Sequence, residues 1–572
     1  MPDKQKAFGF IALLSAMLIL PFLGETIFYS KGEPREAIVA YSMLESGNWI
    51  LPLNYGTDIA YKPPFLYWCI AICSWFLGGV SEFASRLPSA LSFLTMQWVF
   101  FSFVNHYKGL KTAIFTSLLL LTSFEVHRAA VACRLDMLQV SFIVMSLCLL
   151  FRWEDNGRKK TPWLAIVLMA CGTLTKGPVG LIFPCMCIGL YQLIKKYPFW
   201  RTFGSLTVIG LLSLIPLGFW FYFAWEQGGQ SFVNLMLEEN TGRFFHKMSY
   251  ASHQNPAWYN VVTLIWGWAP WTLVLIFSLF GIQWKGRRWL PGEGNWKKRL
   301  SEAWHRFRNQ EPVQLFTWVV ILAIFGFYCI PESKRSVYLL PIYPFMALLI
   351  AQYLLDWVQK TTWLFRVSAS VFATLGLLLT VIFAAVRSGL VPASILGSGK
   401  HAAENIAFLE ALEGTPYSIG KWLLILLPVI AAGCTYYLLR QKAGNGPLLA
   451  ATTGCILCLF VALDGVYQPT ILAVKSDKHL AADINRIVPE GPVYSYTNRL
   501  IRFYCANYYL NDRMRNFMAE EPVEGYVVLS EEAQEEFLQI YGDTYQLEKI
   551  FHTDYRSCDL RKPIVMYRFA RK

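Results

Sequence analysis

Charged residues are scarce in this 572-residue chain. Asp, Glu, Lys and Arg make up 16% of it, whereas soluble domains are nearer to about one quarter charged. Apolar runs of about 20 residues recur along most of the length instead, and such runs are typical of membrane-spanning helices. The scarcity of charge therefore excludes a soluble protein with one large core and indicates a polytopic membrane protein.

Three further absences narrow the class of protein. The first apolar segment, 8–28, lacks a small-residue cleavage site, so we expect a retained first helix rather than a signal peptide. No internal repeat and no paired broken helices are present, which disfavours a transporter. The net charge of +13 is typical of the cytoplasmic loops of a membrane protein, and no nucleic-acid partner is predicted.

Cysteine pairs with zinc spacing are also missing from the polar C-terminal region. All but two of the thirteen cysteines lie in or beside apolar runs, where cysteine acts as a small hydrophobe. The exceptions, Cys505 and Cys558, do not form a CxxC pair. They either form a disulfide or remain thiols, with Cys505 on an apolar face, and the sequence leaves both alternatives open.

Basic clusters predict the orientation. Lys4 and Lys6 precede the first span and place the N-terminus in the cytoplasm. With loop 106–111 also in the cytoplasm, the run "FLYWCIAICSWFLGG" (65–79) is not needed as a crossing, and it is short for a span. We therefore interpret it as an interfacial helix on the outer side. Alternatively, it spans the membrane and loop 106–111 lies outside. The other loops assigned to the cytoplasm are 106–111, 152–160, 195–201, 285–308 and 440–442.

These assignments predict about thirteen transmembrane helices within residues 1–465, with an outer loop over 30–86 that carries juxtamembrane helices. Residues 466–572 are predicted to form a small soluble α/β domain on the outer, periplasmic side. Its expected elements are strand-like "PVYSY" and "YVVLS", a helical "EEAQEEFLQIY" and a final strand "PIVMYRF".

Ionisable and aromatic residues gather in the predicted outer loops. Any single one of them can snorkel or form a loop salt bridge, but charges from five loops at membrane level indicate a site. Lys and Arg suit a phosphate, whereas carboxylates suit proton acceptance or a positive centre. Because nucleotide sugars are cytosolic, an outward-facing sugar transferase would use a polyprenyl-phosphate donor.

Several motifs follow one another in these loops, and in this order they resemble the lipid-to-acceptor glycosyltransferases of the GT-C class. The resemblance is closest to the aminoarabinose transferases that modify lipid A, which are related to the protein O-mannosyltransferases. Two family residues are replaced here: Gly32 stands in place of an Asp, and Tyr61 in place of a Glu. The matching positions are Glu33 and Arg35 in "GEPR", Lys62 in "YKPP", Asp136 in the second loop, Lys176 in "TKG", Glu239 and Arg243 in the long loop, His253 in "HQNPAWY", and Lys334 and Tyr338 in "SKRSVYLLP".

The resemblance implies a hexosyl- or pentosyltransferase of GT-C-like fold. It would move a sugar from undecaprenyl phosphate to lipid A or a similar acceptor at the periplasmic face of the inner membrane, among membrane lipids. Protein O-glycosylation, a lipid or solute transporter and an inert assembly protein are the alternatives. The predicted roles are catalysis for Glu33 and Asp136, phosphate binding for Arg35, Lys62, Arg134, Lys176, Arg243 and Lys334, and substrate binding for Tyr67, Glu239, His253 and Tyr338.

The resemblance also bears on a metal. In the family, the Glu replaced here by Tyr61 and a loop His resemble a zinc site, and His253 fits that His. His253 is therefore a candidate ligand of a divalent metal such as zinc. Because Tyr61 supplies no carboxylate, no comparable site is expected, and no cofactor is predicted with certainty.

The stretch "GEPREAIVAYSML" is predicted to be a helix that caps the site. Pro34 suits a first helical turn. Ala37, Ile38, Tyr41 and Leu44 share one face and are expected to lie on the membrane. Glu33 is expected at the positive helix N-terminus, facing the cavity.

Overall fold

The computed structural model describes residues 2–60, 62–237, 254–256, 258–280, 295–360, 363–395, 402–497 and 503–572. Most of these residues are helical, as the long apolar runs require, because a backbone in hydrocarbon must satisfy its own hydrogen bonds. The predicted Glu239, Arg243 and His253 lie outside the described residues, and so does Tyr61.

Nine helices among the described residues are long and apolar enough to cross a membrane. A bent pair, Tyr259–Gly267 and Trp271–Phe280, meets at 102°, and four apolar helices are shorter: Phe65–Leu77, Leu110–Leu121, Trp163–Lys176 and Val179–Ile194. If Phe65–Leu77 is interfacial and the bent pair counts once, these helices total the predicted thirteen. The nine long ones are Asp3–Phe22, Glu82–Lys108, Leu135–Asp155, Phe199–Leu237, Pro312–Cys329, Ser336–Lys360, Trp363–Arg387, Ile419–Arg440 and Asn445–Ala473.

The long helices enclose one large core. Aromatic rings from several spans meet there, for example Phe151 with Phe316 at a centroid distance of 4.7 Å and Phe100 with Phe345 at 5.3 Å. Other described helices lie between the spans or after them. They are Pro34–Ser46, Phe124–Ala130, Trp296–Arg308, Ala402–Gly414, Lys478–Ile487, Tyr504–Tyr509, Phe517–Glu520 and Gln534–Tyr541.

The first-loop helix, Pro34–Ser46, forms where it is predicted. Pro34 occupies its first turn, and Gly47 ends it in the left-handed conformation, donating its N–H to the Met43 carbonyl. Ala37 and Ile38 are buried within the protein rather than lying on the membrane. The expected membrane-facing surface is therefore wrong: this helix packs between the outer ends of the spans and the C-terminal region.

The C-terminal region contains a five-stranded mixed sheet, with the strands in the spatial order Met514–Asn516, Val493–Ser495, Glu524–Ser530, Ile564–Arg571 and Tyr545–His552. The first three strands in that order pair in parallel, and the last two join the sheet antiparallel, Glu524 facing Ala570 and Ser530 facing Ile564. The predicted strands and the helix Gln534–Tyr541 are present, and two strands were not predicted. A small antiparallel hairpin lies in the first loop, and each of its strands, Leu53–Asn54 and Asp58–Ile59, has two residues.

We call residues 476–572 the tail. The tail docks on the first outer loop through specific hydrogen bonds. The hydroxyl of Tyr509 accepts from the Phe28 N–H at 2.9 Å and donates to Glu82 at 2.7 Å, and Ser476 donates to the Phe28 carbonyl at 2.5 Å. Tyr508 donates to the Val80 carbonyl at 2.8 Å. The tail therefore fixes both ends of the loop that carries the first-loop helix.

Candidate functional site

A buried carboxylate, Glu36, gathers three donors from the first outer loop. It accepts hydrogen bonds from Lys62 Nζ at 2.5 Å, Arg35 Nη2 at 2.7 Å and the Tyr67 hydroxyl at 2.8 Å. Burial disfavours its charge, but Lys62 and Arg35 outweigh burial and hold the pKa of this carboxyl well below its usual value. Glu36 was not among the predicted site residues, whereas Arg35, Lys62 and Tyr67 were.

Lys62 is the most perturbed base in this group. Burial and the neighbouring Arg35 lower the pKa of Lys62 to about 8, and Glu36 opposes that change. The ammonium is thus charged at neutral pH but close to its titration range. Its side chain is 20% exposed, so it can be reached by a ligand.

Asp136 forms a second ion pair beside the first. Its Oδ1 lies 2.5 Å from Lys176 Nζ, and Lys62 and Arg134 act on it electrostatically. Lys176 also lies over the ring of Tyr338, 5.2 Å from the centroid. The structure therefore brings together the predicted Arg35, Lys62, Arg134 and Lys176, which we call the basic cluster, with Asp136 and Tyr338 beside them.

Arg134 explains the first departure from the family. A Cβ added at Gly32 would lie 2.0 Å from Arg134 Nη2 and 2.6 Å from its Cζ. No side chain fits there while the guanidinium stays in place. Gly32 thus leaves room for a cation from the second loop, which makes this corner of the site more positive.

Glu33 is hydrogen-bonded to Arg86 rather than to the lysines of the basic cluster. Its carboxylate is held by Arg86, at 2.8 Å from Nε and 3.1 Å from Nη2, and it accepts the Cys133 N–H at 2.9 Å. Arg86 also donates to the carbonyls of Leu23 and Thr26. Burial opposes this charge, yet the pairing with Arg86 keeps the pKa of Glu33 below its usual value. The geometry favours a positioning role over the predicted catalytic one.

Lys334 bonds within its own loop. Its side chain is buried, and its ammonium donates to the carbonyl of Pro331. Asn255 donates to the Lys334 carbonyl at 3.2 Å. The phosphate-binding role of Lys334 stays a prediction, whereas Tyr338 of the same motif reaches Lys176.

An apolar groove of about 520 Å³ opens beside the basic cluster. Two of its lining residues, Pro63 and Gly177, directly follow Lys62 and Lys176 in the chain. The helix Phe199–Leu237 supplies most of the rest, including Leu217, Phe221, Trp225, Phe232 and Val233. A hydrocarbon chain in this groove would bring its charged end to the two lysines.

The site that the resemblance implies for a metal would need Tyr61 and His253. Both lie outside the described residues, and the phenol at position 61 replaces the carboxylate. We derive no step through a metal at this site.

Comparisons with known proteins find relatives among membrane sugar transferases. Residues 61–220 match the family described as dolichyl-phosphate-mannose-protein mannosyltransferase. An uncharacterized protein of Aquifex aeolicus is 26% identical over 397 residues, which cover 68% of this chain and 73% of that protein. The undecaprenyl phosphate-alpha-4-amino-4-deoxy-L-arabinose arabinosyl transferase of Pectobacterium atrosepticum is 27% identical over 373 residues, which cover 61% of this chain but only 59% of that enzyme.

One solved structure has the same fold over nearly the whole length. The crystal structure of ArnT from Cupriavidus metallidurans, bound to undecaprenyl phosphate, superposes with a TM-score of 0.65 at 18% identity and covers 97% of both chains. This match confirms the predicted polytopic fold with its small C-terminal sheet region.

Proposed function

We infer that this chain is a membrane glycosyltransferase of the GT-C class, and we propose that it transfers a sugar from undecaprenyl phosphate to lipid A or a similar acceptor. The observation that carries the proposal is the position of the basic cluster at the mouth of the apolar groove. The groove suits a polyprenyl chain, and the lysines beside it suit the phosphate. The similarity to an undecaprenyl-phosphate-dependent transferase supports the same donor.

In this mechanism the bond between the anomeric carbon and the phosphate oxygen breaks, and its electron pair stays on the departing phosphate. Lys62, Lys176 and Arg35 are already assembled around the place where that negative charge develops. Preorganised cations of this kind usually supply a large share of catalysis. Arg134 adds a further positive charge on the side of Gly32.

Asp136 is the acid best placed to serve the acceptor. In the free protein it is paired with Lys176. A donor phosphate competes for Lys176 and so frees the carboxylate, which can then take the proton of an acceptor hydroxyl. A phosphate acceptor is already nucleophilic, and Asp136 would then only orient it. Glu33 has a positioning role here, because Arg86 occupies its carboxylate.

The reaction is tested with the purified protein, an undecaprenyl-phosphate-linked pentose or hexose, and lipid A. We expect mass spectrometry to find lipid A heavier by one sugar residue, together with free undecaprenyl phosphate. If the sugar were transferred to a peptide and not to lipid A, the acceptor would be a protein. No release of undecaprenyl phosphate with any acceptor would refute the proposed activity.

The groove can be tested separately. Val233→Trp should fill it and raise the KM for the long-chain donor by at least about fivefold, because overpacking an apolar pocket costs about 1–3 kcal/mol. A donor with a short prenyl chain should be affected much less. Val208→Trp is the matched control, since Val208 lies on the same helix and is exposed. Equal KM changes for both donors would place the lipid elsewhere.

We also propose that the outer loops and the tail lie on the periplasmic side of the inner membrane, with the N-terminus in the cytoplasm. Protease added to sealed spheroplasts should then cleave the tail, and cytoplasmic marker proteins should stay intact. A tail cleaved only after lysis would reverse this orientation and remove the basis for a lipid-linked donor.

A further inference from the structure

A second cluster of potential ligands lies in the tail. One oxygen or sulfur each from Asp477, Cys558 and Asp559 lies within 4.8 Å of the other two. Asp477 and Asp559 are almost fully buried, and Cys558 is half-buried. Asp477 begins the helix Lys478–Ile487, whereas the other two residues lie in the turn before the final strand.

The two carboxylates differ in how well they are satisfied. Asp477 accepts from the Ser557 hydroxyl at 2.6 Å and from the Cys558 N–H at 2.9 Å. Asp559 accepts the Cys505 N–H through Oδ2 at 2.7 Å. Its other oxygen, Oδ1, is buried and has no hydrogen-bond partner among the described residues. A buried carboxylate oxygen without a partner is costly and therefore points to a missing ligand.

Cys505 lies next to this cluster. Its backbone N–H is the one that Asp559 accepts. Its thiol donates to the Phe28 carbonyl at 3.3 Å, where the tail meets the first outer loop. The three clustered ligands thus come from the start of the tail and from the turn before the final strand, beside the contact between Cys505 and Phe28.

Neither carboxylate has an ion-pair partner among the described residues. Lys31 acts on Asp559 electrostatically, but Lys31 is exposed, and no ion pair joins it to Asp477 or Asp559. Two adjacent buried carboxylates repel each other unless a proton or a cation lies between them. Thiolate and carboxylate ligands together suit zinc, whereas calcium and magnesium take oxygen ligands.

We propose that Asp477, Cys558 and Asp559 bind a zinc ion. The Cys558 thiol loses its proton to solvent as its sulfur–zinc bond forms, and the sulfur is not oxidised. The ion would join the start of the tail to the 557–559 turn, beside the helix Tyr504–Tyr509. It would hold them where they contact Phe28, so the site is structural and independent of the transfer reaction.

The test measures metal rather than activity. The full-length protein in detergent is treated with a chelator, dialysed against zinc and then against metal-free buffer. We expect elemental analysis to find about one zinc per chain. Asp559→Asn should lose at least about tenfold in zinc affinity. The matched control is Asp554→Asn, because Asp554 lies in the same loop and is fully exposed; it should retain the metal.

Cobalt provides a readout that needs no variant. Cobalt added to the metal-free wild-type protein should give a thiolate-to-cobalt absorption band, and zinc should displace it. Zinc should also protect Cys558 from alkylation, and the chelator should restore its reactivity. Absence of the band, or recovery of Cys505 and Cys558 as a disulfide in peptides mapped without reductant, would overturn the proposal.

Discussion

Glu36→Gln should lower sugar transfer by at least about 100-fold, the size of effect typical for loss of one preorganised electrostatic group. The amide keeps the shape of the side chain but removes the charge that holds Lys62, Arg35 and the Tyr67 hydroxyl at one point. The two cations then repel each other and leave the mouth of the groove. The measurement is the steady-state rate with the lipid-linked donor, on protein shown to be folded by size-exclusion chromatography.

The pH profile separates this electrostatic role from a structural one. Burial and Arg35 lower the pKa of Lys62, Glu36 raises it, and the net result of these effects is a pKa of about 8. Without that charge the pKa of Lys62 falls further, and the ammonium loses its proton nearer neutral pH. Transfer by wild type should therefore decline as the pH rises through about 8, and in Glu36→Gln the decline should begin at lower pH.

A matched control lies on the same helix. Glu45 is exposed near the end of the first-loop helix, so Glu45→Gln should change neither the rate nor the pH profile. If Glu36→Gln also kept the wild-type profile and rate, Glu36 would not organise the phosphate site.

Arg86→Met should destabilise the protein by about 3–5 kcal/mol, because it leaves the buried carboxylate of Glu33 without its partner. Arg86 also satisfies the carbonyls of Leu23 and Thr26, which lie between the first span and the first-loop helix. Thermal unfolding in detergent, followed by the loss of soluble monomer, should occur at a clearly lower temperature. Arg486→Met is the control, since that side chain is 80% exposed.

The double variant Glu33→Gln/Arg86→Met decides the role of Glu33. Removing both charges eliminates the unpaired carboxylate, so stability should recover in part relative to Arg86→Met alone. If Glu33 acts only by positioning the loop, transfer should recover together with stability. Recovery of stability without any recovery of transfer would restore Glu33 as a catalytic acid.

The sequence predicted the parts of the site that belong to ordered motifs in outer loops. Lys62, Asp136 and Lys176 each follow or precede an apolar helix, so membrane topology alone brings them to one level. Glu33 and Glu36 lie three residues apart on one helix face. Which of the two carboxylates contacts Lys62 depends on the rotation of the helix about its axis. That rotation is set by contacts with Arg86 and the tail.

Other features depend on contacts that are distant in sequence. Arg86 could have been singled out, because an ionisable residue early in an apolar span usually has a buried partner. The position of the Lys334 side chain could not have been predicted, because a flexible side chain can turn either to the site or to its own loop. The strand Met514–Asn516 is too short to carry an alternating pattern, and Tyr545–His552 mixes exposed and buried residues at the sheet edge.

The docking of the tail on Phe28 sets the order in which the protein matures. The Phe28 N–H and carbonyl bond to Tyr509 and Ser476, partners 481 and 448 residues further along the chain. During synthesis the first outer loop emerges long before these partners exist. The loop cannot take its final conformation until nearly the entire polypeptide has been made and inserted. The first outer loop, with the residues that it adds to the basic cluster, is therefore held at Phe28 only in molecules whose tail has been made, and not in nascent chains that still lack it.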